Sequence, residues 1–67
     1  MAKPADNQTV ECIDNKAYAA SLELRRIYIA LPDPEAESHG LLRVIDESGE
    51  DYLYPRALFR SLALPHV

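Results

Sequence analysis

Apolar and polar residues alternate in short blocks along this chain, and the clearest block runs from Leu41 to Pro55, LLRVIDESGEDYLYP. An apolar run (Leu41, Leu42, Val44, Ile45), a polar turn (Asp46 to Glu50) and a second strand-forming run (Tyr52, Leu53, Tyr54) predict a β-hairpin. Gly49 stands near the end of the turn, where such a loop needs a residue at positive φ and glycine has no Cβ to clash. A lone hairpin is marginal in water, so other strands must cover its apolar face. Val10 to Ile13 predicts a first short strand, and Asp14-Asn15-Lys16 a turn, because Asp and Asn bond their own backbone. Arg26 to Leu31, RIYIAL, predicts a second strand, apolar on both faces as if each side were covered. Between them, AYAASLEL mixes helix formers with the strand-like alternation of Leu22 and Leu24, and predicts an irregular excursion leading into the strand.

The next segment has the punctuation of one short helix over about residues 34–39. Asp33 serves as N-cap, Pro34 suits the first helical position, Glu35 and Glu37 favour the positive end of the dipole, and Gly40 closes the C-terminus. After the hairpin, Pro55 ends the fourth strand, Arg56 to Phe59 predicts a 3-10-like turn, and Arg60 to Leu64 a fifth strand that Pro65 stops. Residues 1–9 hold almost nothing to bury and predict a frayed terminus. The expected organisation is one domain over residues 10–64, mostly β, between a flexible N-terminus and a tail at 65–67.

Composition narrows the classes. A chain of 67 residues holds one domain and buries roughly 60% of the surface that its unfolded form exposes. A hydrophobic fraction of 48% and a charged fraction of 27% are those of a folded domain. Seven Lys and Arg face eleven Asp and Glu, a net charge of −4, which leaves no surplus of positive charge to hold phosphates and disfavours nucleic acid and anionic membrane. Cys12 is the single cysteine, which excludes an intramolecular disulfide or a multi-cysteine metal site and points to a reducing compartment. No apolar run nears the roughly 20 residues that span a bilayer, and MAKPADNQT has no signal core, so the expected location is the cytoplasm.

Two sets of residues carry a resemblance. Ser21-Leu22 with Ile27-Tyr28 enter the second strand, and Asp46 to Glu50 with Tyr54-Pro55 and Leu58-Phe59 supply the turn, the proline step and the turn after it. With five short strands and an excursion after the first, the chain resembles a Src-homology-3-like barrel over Val10 to Leu64, with the short helix as an insert. The segments LPDPEA, HGLLRV and DESGEDYLYP are also similar to those of a group of small bacterial proteins, which implies a bacterial source. In Src-homology-3 domains a proline-rich ligand lies on an aromatic shelf. Pro55 matches the shelf proline, but Leu41 stands nearest the usual tryptophan, Leu58 replaces a second shelf tyrosine, and no ALYDY-type motif occurs near Val10 to Asp14. A shelf without its rings loses most of its contact area for a polyproline helix.

Candidate chemistry is sparse. His39 and His66, with Glu35 four residues before His39, form at most a weak metal or acid-base signal, and the plainer expectation is a helix-capping His39. Cys12 is expected to be a small buried hydrophobe. Asp46, Glu47, Glu50 and Asp51 crowd the hairpin turn without EF-hand spacing, and the expectation is a solvated turn whose charges protect an edge. No phosphate loop, nucleophile elbow or zinc helix occurs, so no enzyme, cofactor or metal is expected.

The aromatic residues are Tyr18, Tyr28, Tyr52, Tyr54 and Phe59. Alternation sets Tyr52 and Tyr54 on one face, opposite Leu53. If that face looks outward, Tyr18, Tyr52, Tyr54, Pro55 and Arg56 form a binding patch; if inward, the rings complete a thin core. The leading expectation is a non-enzymatic interaction module that binds another protein, or its own copy, through the tyrosine face or a strand edge. One alternative is a nucleic-acid-associated barrel in which Arg25, Arg26, Arg43, Arg56 and Arg60 converge on one face. Another is a small-ligand or metal-binding regulator built on His39 and the acidic turn.

Overall fold

The computed structural model describes residues 7–62 and is mostly β. Five antiparallel strands, β1 (Gln8–Cys12), β2 (Ile27–Leu31), β3 (Leu41–Ile45), β4 (Asp51–Pro55) and β5 (Phe59–Ser61), form one sheet in the order β4-β3-β2-β1-β5. One helix, α1 (Pro34–Ser38), joins β2 to β3, and a 3-10 turn at Arg56–Leu58 joins β4 to β5. These last two strands lie at opposite ends of the sheet. Laid flat, five strands would separate them by about 19 Å, whereas a three-residue 3-10 turn spans roughly 6 Å. The sheet therefore curls into a half-barrel, and its two ends meet where the Tyr54 and Phe59 rings stack edge-on at 6.2 Å. This architecture is compatible with a Src-homology-3-like barrel.

Alternate residues of every strand fill the concave side. Val10 and Cys12, Tyr28 and Ala30, Leu42 and Val44, Tyr54 and Phe59 form the buried cluster, with Leu22 brought in from the excursion between β1 and β2. That excursion is a chain of turns, as expected, and stays attached through its own hydrogen bonds. Cys12 and Arg25–Arg26 exchange backbone bonds of 2.8 and 3.0 Å, the Asn15 amide donates to the Leu22 carbonyl, and the Glu47 N–H of the hairpin turn donates to the Ser21 carbonyl. Leu22 is fully buried while Leu24 is exposed, so their alternation marks one anchor rather than a strand.

The local punctuation operates as read. The Asp33 carboxylate accepts from the Ala36 N–H at 3.1 Å, Pro34 opens the helix, and Gly40 and Gly49 stand at φ 77° and 85°. Three expectations need adjustment. β1 starts at Gln8, because Gln8 and Thr9 pair with Ala30 and Ile29 despite their polarity. β5 starts at Phe59 and ends at Ser61, with residues 63–67, and so His66 and the expected tail, outside the described residues. β2 is covered on one side only: its convex face leaves Ile27 and Ile29 exposed.

Candidate functional site

The five residues expected to share a patch do not share one. Tyr54 is 4% exposed and belongs to the core, which corrects the outward reading for this ring. The cause is register. Tyr54 lies opposite Leu42 on β3, whose side chain points into the concave side, and its hydroxyl donates to the Asp46 carboxylate at 2.6 Å. Tyr18 caps Tyr54 edge-on at 5.1 Å and stays 36% exposed. Tyr52, two residues nearer the turn, is 50% exposed and donates to Glu50 at 3.0 Å. Pro55 lies opposite Leu41 on the convex side. The Arg56 N–H donates to the Gly40 carbonyl at 2.8 Å and its guanidinium to the Glu37 carbonyl at 3.0 Å, tying that end of β4 to the helix terminus.

The acidic turn is built into the fold, which corrects its reading as a merely solvated loop. Asp46 is buried and accepts from the Ser48 N–H, the Ser48 hydroxyl and the Tyr54 hydroxyl. Burial pushes its carboxyl up, but these hydrogen bonds outweigh that push and hold it below the ordinary carboxylate value. Glu47 accepts from the Tyr28 hydroxyl at 2.6 Å and pairs with Arg26. Burial first, and the Glu47 hydrogen bond second, push the Tyr28 phenol up to about 12. On the convex side Arg43 reaches both Asp33, at 2.8 Å, and Asp51, at 3.1 Å, so one guanidinium ties the helix cap to β4. The Ala36 N–H and Arg43 hold the Asp33 carboxyl below its ordinary value.

The other candidates resolve as follows. Cys12 is fully buried, and burial pushes its thiol up, away from thiolate character. The His39 N–H donates to the Ala36 carbonyl, closing the helix. Its side chain shares an open groove of about 200 Å³ with Glu35, Ala36, Leu41, Arg43 and Leu53, between α1 and the hairpin. Among the described residues no three of His, Cys, Asp or Glu are grouped to hold a metal ion, and no helix is long and apolar enough to cross a membrane. Arg26, Arg43 and Arg60 pair with carboxylates of their own chain, Glu23 and Glu47, Asp33 and Asp51, and Glu11 respectively. At the positions of the expected shelf stand Leu41, Pro55 and a partly buried Leu58.

The expected strand edge is left unassigned by the pattern along the chain, and the sheet assigns it. β4 is the last strand of the sheet, and its residues Asp51, Tyr52 and Leu53 are all exposed, so both faces of this strand meet solvent. Leu53, 42% exposed on the convex side, had no signal beyond its opposition to the tyrosines. Its importance depends on strand order, which no local pattern states. No protein-family model, no curated protein and no solved structure matches this chain.

Proposed function

We propose that this chain is a non-enzymatic protein-interaction module, a small cytoplasmic Src-homology-3-like barrel that takes another chain along the free edge of β4. The observation that carries the reading is that edge. Asp51, Tyr52 and Leu53 are exposed in succession, so an incoming strand would find a tyrosine ring on one face and a leucine on the other. Peptide addition to a sheet edge draws affinity from main-chain bonds and selectivity from such flanking side chains. β5, the opposite edge, is three residues long and offers far less.

The strongest support against a catalytic role is the employment of the acidic groups: Glu11, Asp33, Asp46 and Glu47 are each held by donors of their own chain. The arginine-face alternative is weakened in the same way, since four of its five arginines engage the chain's own oxygens. The test is capture with the tagged full chain, with and without nuclease, against Tyr52→Ala/Leu53→Asp, which leaves the core intact. Nuclease-resistant capture that this variant loses supports the reading. Capture that survives the double substitution, or that nuclease removes, overturns it.

A further inference from the structure

We infer that the β4 edge selects a basic segment of another protein, an extended stretch that runs antiparallel to β4 and reads aliphatic, aromatic, basic, basic from its N-terminal end. This rests on the reading of β4 as the docking edge. The Arg56 N–H donates to the Gly40 carbonyl and the Asp46 N–H to the Glu50 carbonyl, and between these pairs Leu42 lies opposite Tyr54 and Val44 opposite Tyr52. Hydrogen-bonded pairs alternate with non-bonded ones in an antiparallel ladder. Tyr52 and Tyr54 therefore turn their backbone groups to β3, while Asp51 and Leu53 turn theirs outward. Pro55 ends this run: it has no N–H, and as N-cap of the 3-10 turn its carbonyl serves that turn. The free edge thus offers the N–H and C=O groups of Asp51 and Leu53.

An antiparallel guest matches these groups with one residue opposite Leu53 and one opposite Asp51, each exchanging a pair of main-chain bonds. Residues opposite one another share a face, so what β4 shows on each face sets the guest's side chains. Beside Leu53, on the convex side, lies the groove of about 200 Å³ between α1 and the hairpin, with Ala36, Leu41 and Leu53 as its apolar lining. It is smaller than the roughly 300 Å³ at which small-molecule sites begin, and it suits one aliphatic side chain. The next guest residue falls opposite Tyr52 on the other face, where the half-exposed ring offers an aromatic contact. The two residues after it fall opposite Asp51 and Glu50.

Charge decides what those two residues are. Asp33 and Glu35 line the groove, Glu50 and Asp51 border the edge, and one guanidinium, Arg43, serves Asp33 and Asp51 together. Four carboxylates around one guanidinium leave this strip negative, and a basic residue opposite Asp51 and another opposite Glu50 complement it. The Tyr52 hydroxyl on Glu50 is neutral and leaves that charge in place. Arg56, beyond Pro55, is turned to the Glu37 carbonyl at the other end of the strand. A second copy brings the same acids and a net charge of −4 to the same edge, so like charges meet. A proline-rich guest lacks the N–H groups that the two outward carbonyls need.

The test titrates the full chain, by NMR and calorimetry, with capped peptides that carry Leu-Tyr-Lys-Lys, Lys-Lys-Tyr-Leu or Leu-Tyr-Glu-Glu between serine and threonine flanks. The first should bind, protect the Asp51 and Leu53 amides from exchange, and lose affinity as salt rises from about 0.01 M to about 1 M. The reversed and glutamate peptides should each bind about tenfold more weakly. Glu50→Lys should narrow the preference for lysine over glutamate, with circular dichroism confirming the fold. Equal binding of the lysine and glutamate peptides, or no response of the Asp51 and Leu53 amides to the first at millimolar concentration, overturns the basic guest. Protection of those amides that grows with the concentration of the chain alone assigns the edge to a second copy and overturns it too. If Tyr52→Ala/Leu53→Asp then still abolishes nuclease-resistant capture, the docking edge stands without the basic guest. A Leu-Tyr-Lys-Lys peptide that binds this variant as well as the parent chain overturns both.

Discussion

Tyr52 and Tyr54 stand two residues apart on one face of one strand, and each gives its hydroxyl to a carboxylate of the same turn, yet they serve opposite purposes. Tyr54 meets Asp46 at 2.6 Å inside the protein, where Tyr18 covers one side and Phe59 another. Tyr52 meets Glu50 at 3.0 Å in solvent. In the first pair neither group has water to fall back on, so each needs the other. In the second, water replaces either partner at little cost. The same chemistry, a tyrosine hydroxyl on a carboxylate, therefore holds the fold at one end of β4 and stands free for a partner at the other.

The sharpest way to separate the two pairs is to delete each ring. Tyr54→Ala removes an aromatic side chain from a small core and should cost about 3–5 kcal/mol, enough to unfold much of a domain this short. Tyr52→Ala should cost no more than about 0.5 kcal/mol. Chemical denaturation of the two variants measures both, and a loss for Tyr52→Ala equal to that for Tyr54→Ala would erase the distinction. The carboxylates should follow the rings on a smaller scale. Asp46→Ala leaves the Tyr54 hydroxyl and the Ser48 donors without their acceptor, at about 1–3 kcal/mol, whereas Glu50→Ala should shift stability by about 0.5 kcal/mol or less.

Acidity sharpens the same contrast. The carboxyls of Asp46 and Asp33 both sit below their ordinary value of 3.8 in the folded chain. Their stabilisation is complete above that value and is lost as the pH falls below it toward their folded values, because the unfolded chain takes up the protons first. Thermal melts should therefore fall with pH below about 4, and by less in Asp46→Asn. At the alkaline end Tyr28 works in the opposite sense. Its phenol rises from 10.0 to about 12 in the fold, so the stability it contributes is present below pH 10 and disappears as the pH rises through about 12. A melting temperature that stayed flat from pH 10 to 12 would contradict the part-buried Tyr28–Glu47 contact. The smallest effect belongs to the loop that carries Tyr18. Arg25 stands at φ 66°, where a side chain costs about 1–2 kcal/mol. Arg25→Gly relieves that strain but adds unfolded-state freedom, for a net gain of about 0.5 kcal/mol in denaturant.

The parts legible along the chain are those governed by neighbours in sequence. Gly40 and Gly49 had to supply positive φ, Asp33 had only its own helix to cap, and the apolar runs of the hairpin had to pair across a short turn. Errors arose where a partner lay far off. Gln8 and Thr9 look like a frayed end, and only the facing Ala30 and Ile29 make them a strand. Asp46 looks like one more surface acid, and only Tyr54 arriving over it gives it a buried role. The candidate site was half legible: Tyr52 was named, whereas Leu53 was passed over as the odd residue between two rings.

Local chemistry thus dictated the turns, the caps, the strand-forming segments and the alternation within them, since each depends on dihedral preferences and bonds over a few residues. Strand order, the curl that brings β4 to β5, the choice of Tyr54 for the core and the exposure of Asp51, Tyr52 and Leu53 on an open edge were decided by tertiary structure. The physical reason is that alternation tells which residues share a face, but not which face is covered. Cover comes from segments distant in sequence, here Tyr18 and Leu22 of the excursion, whose arrival is a property of the whole packed chain.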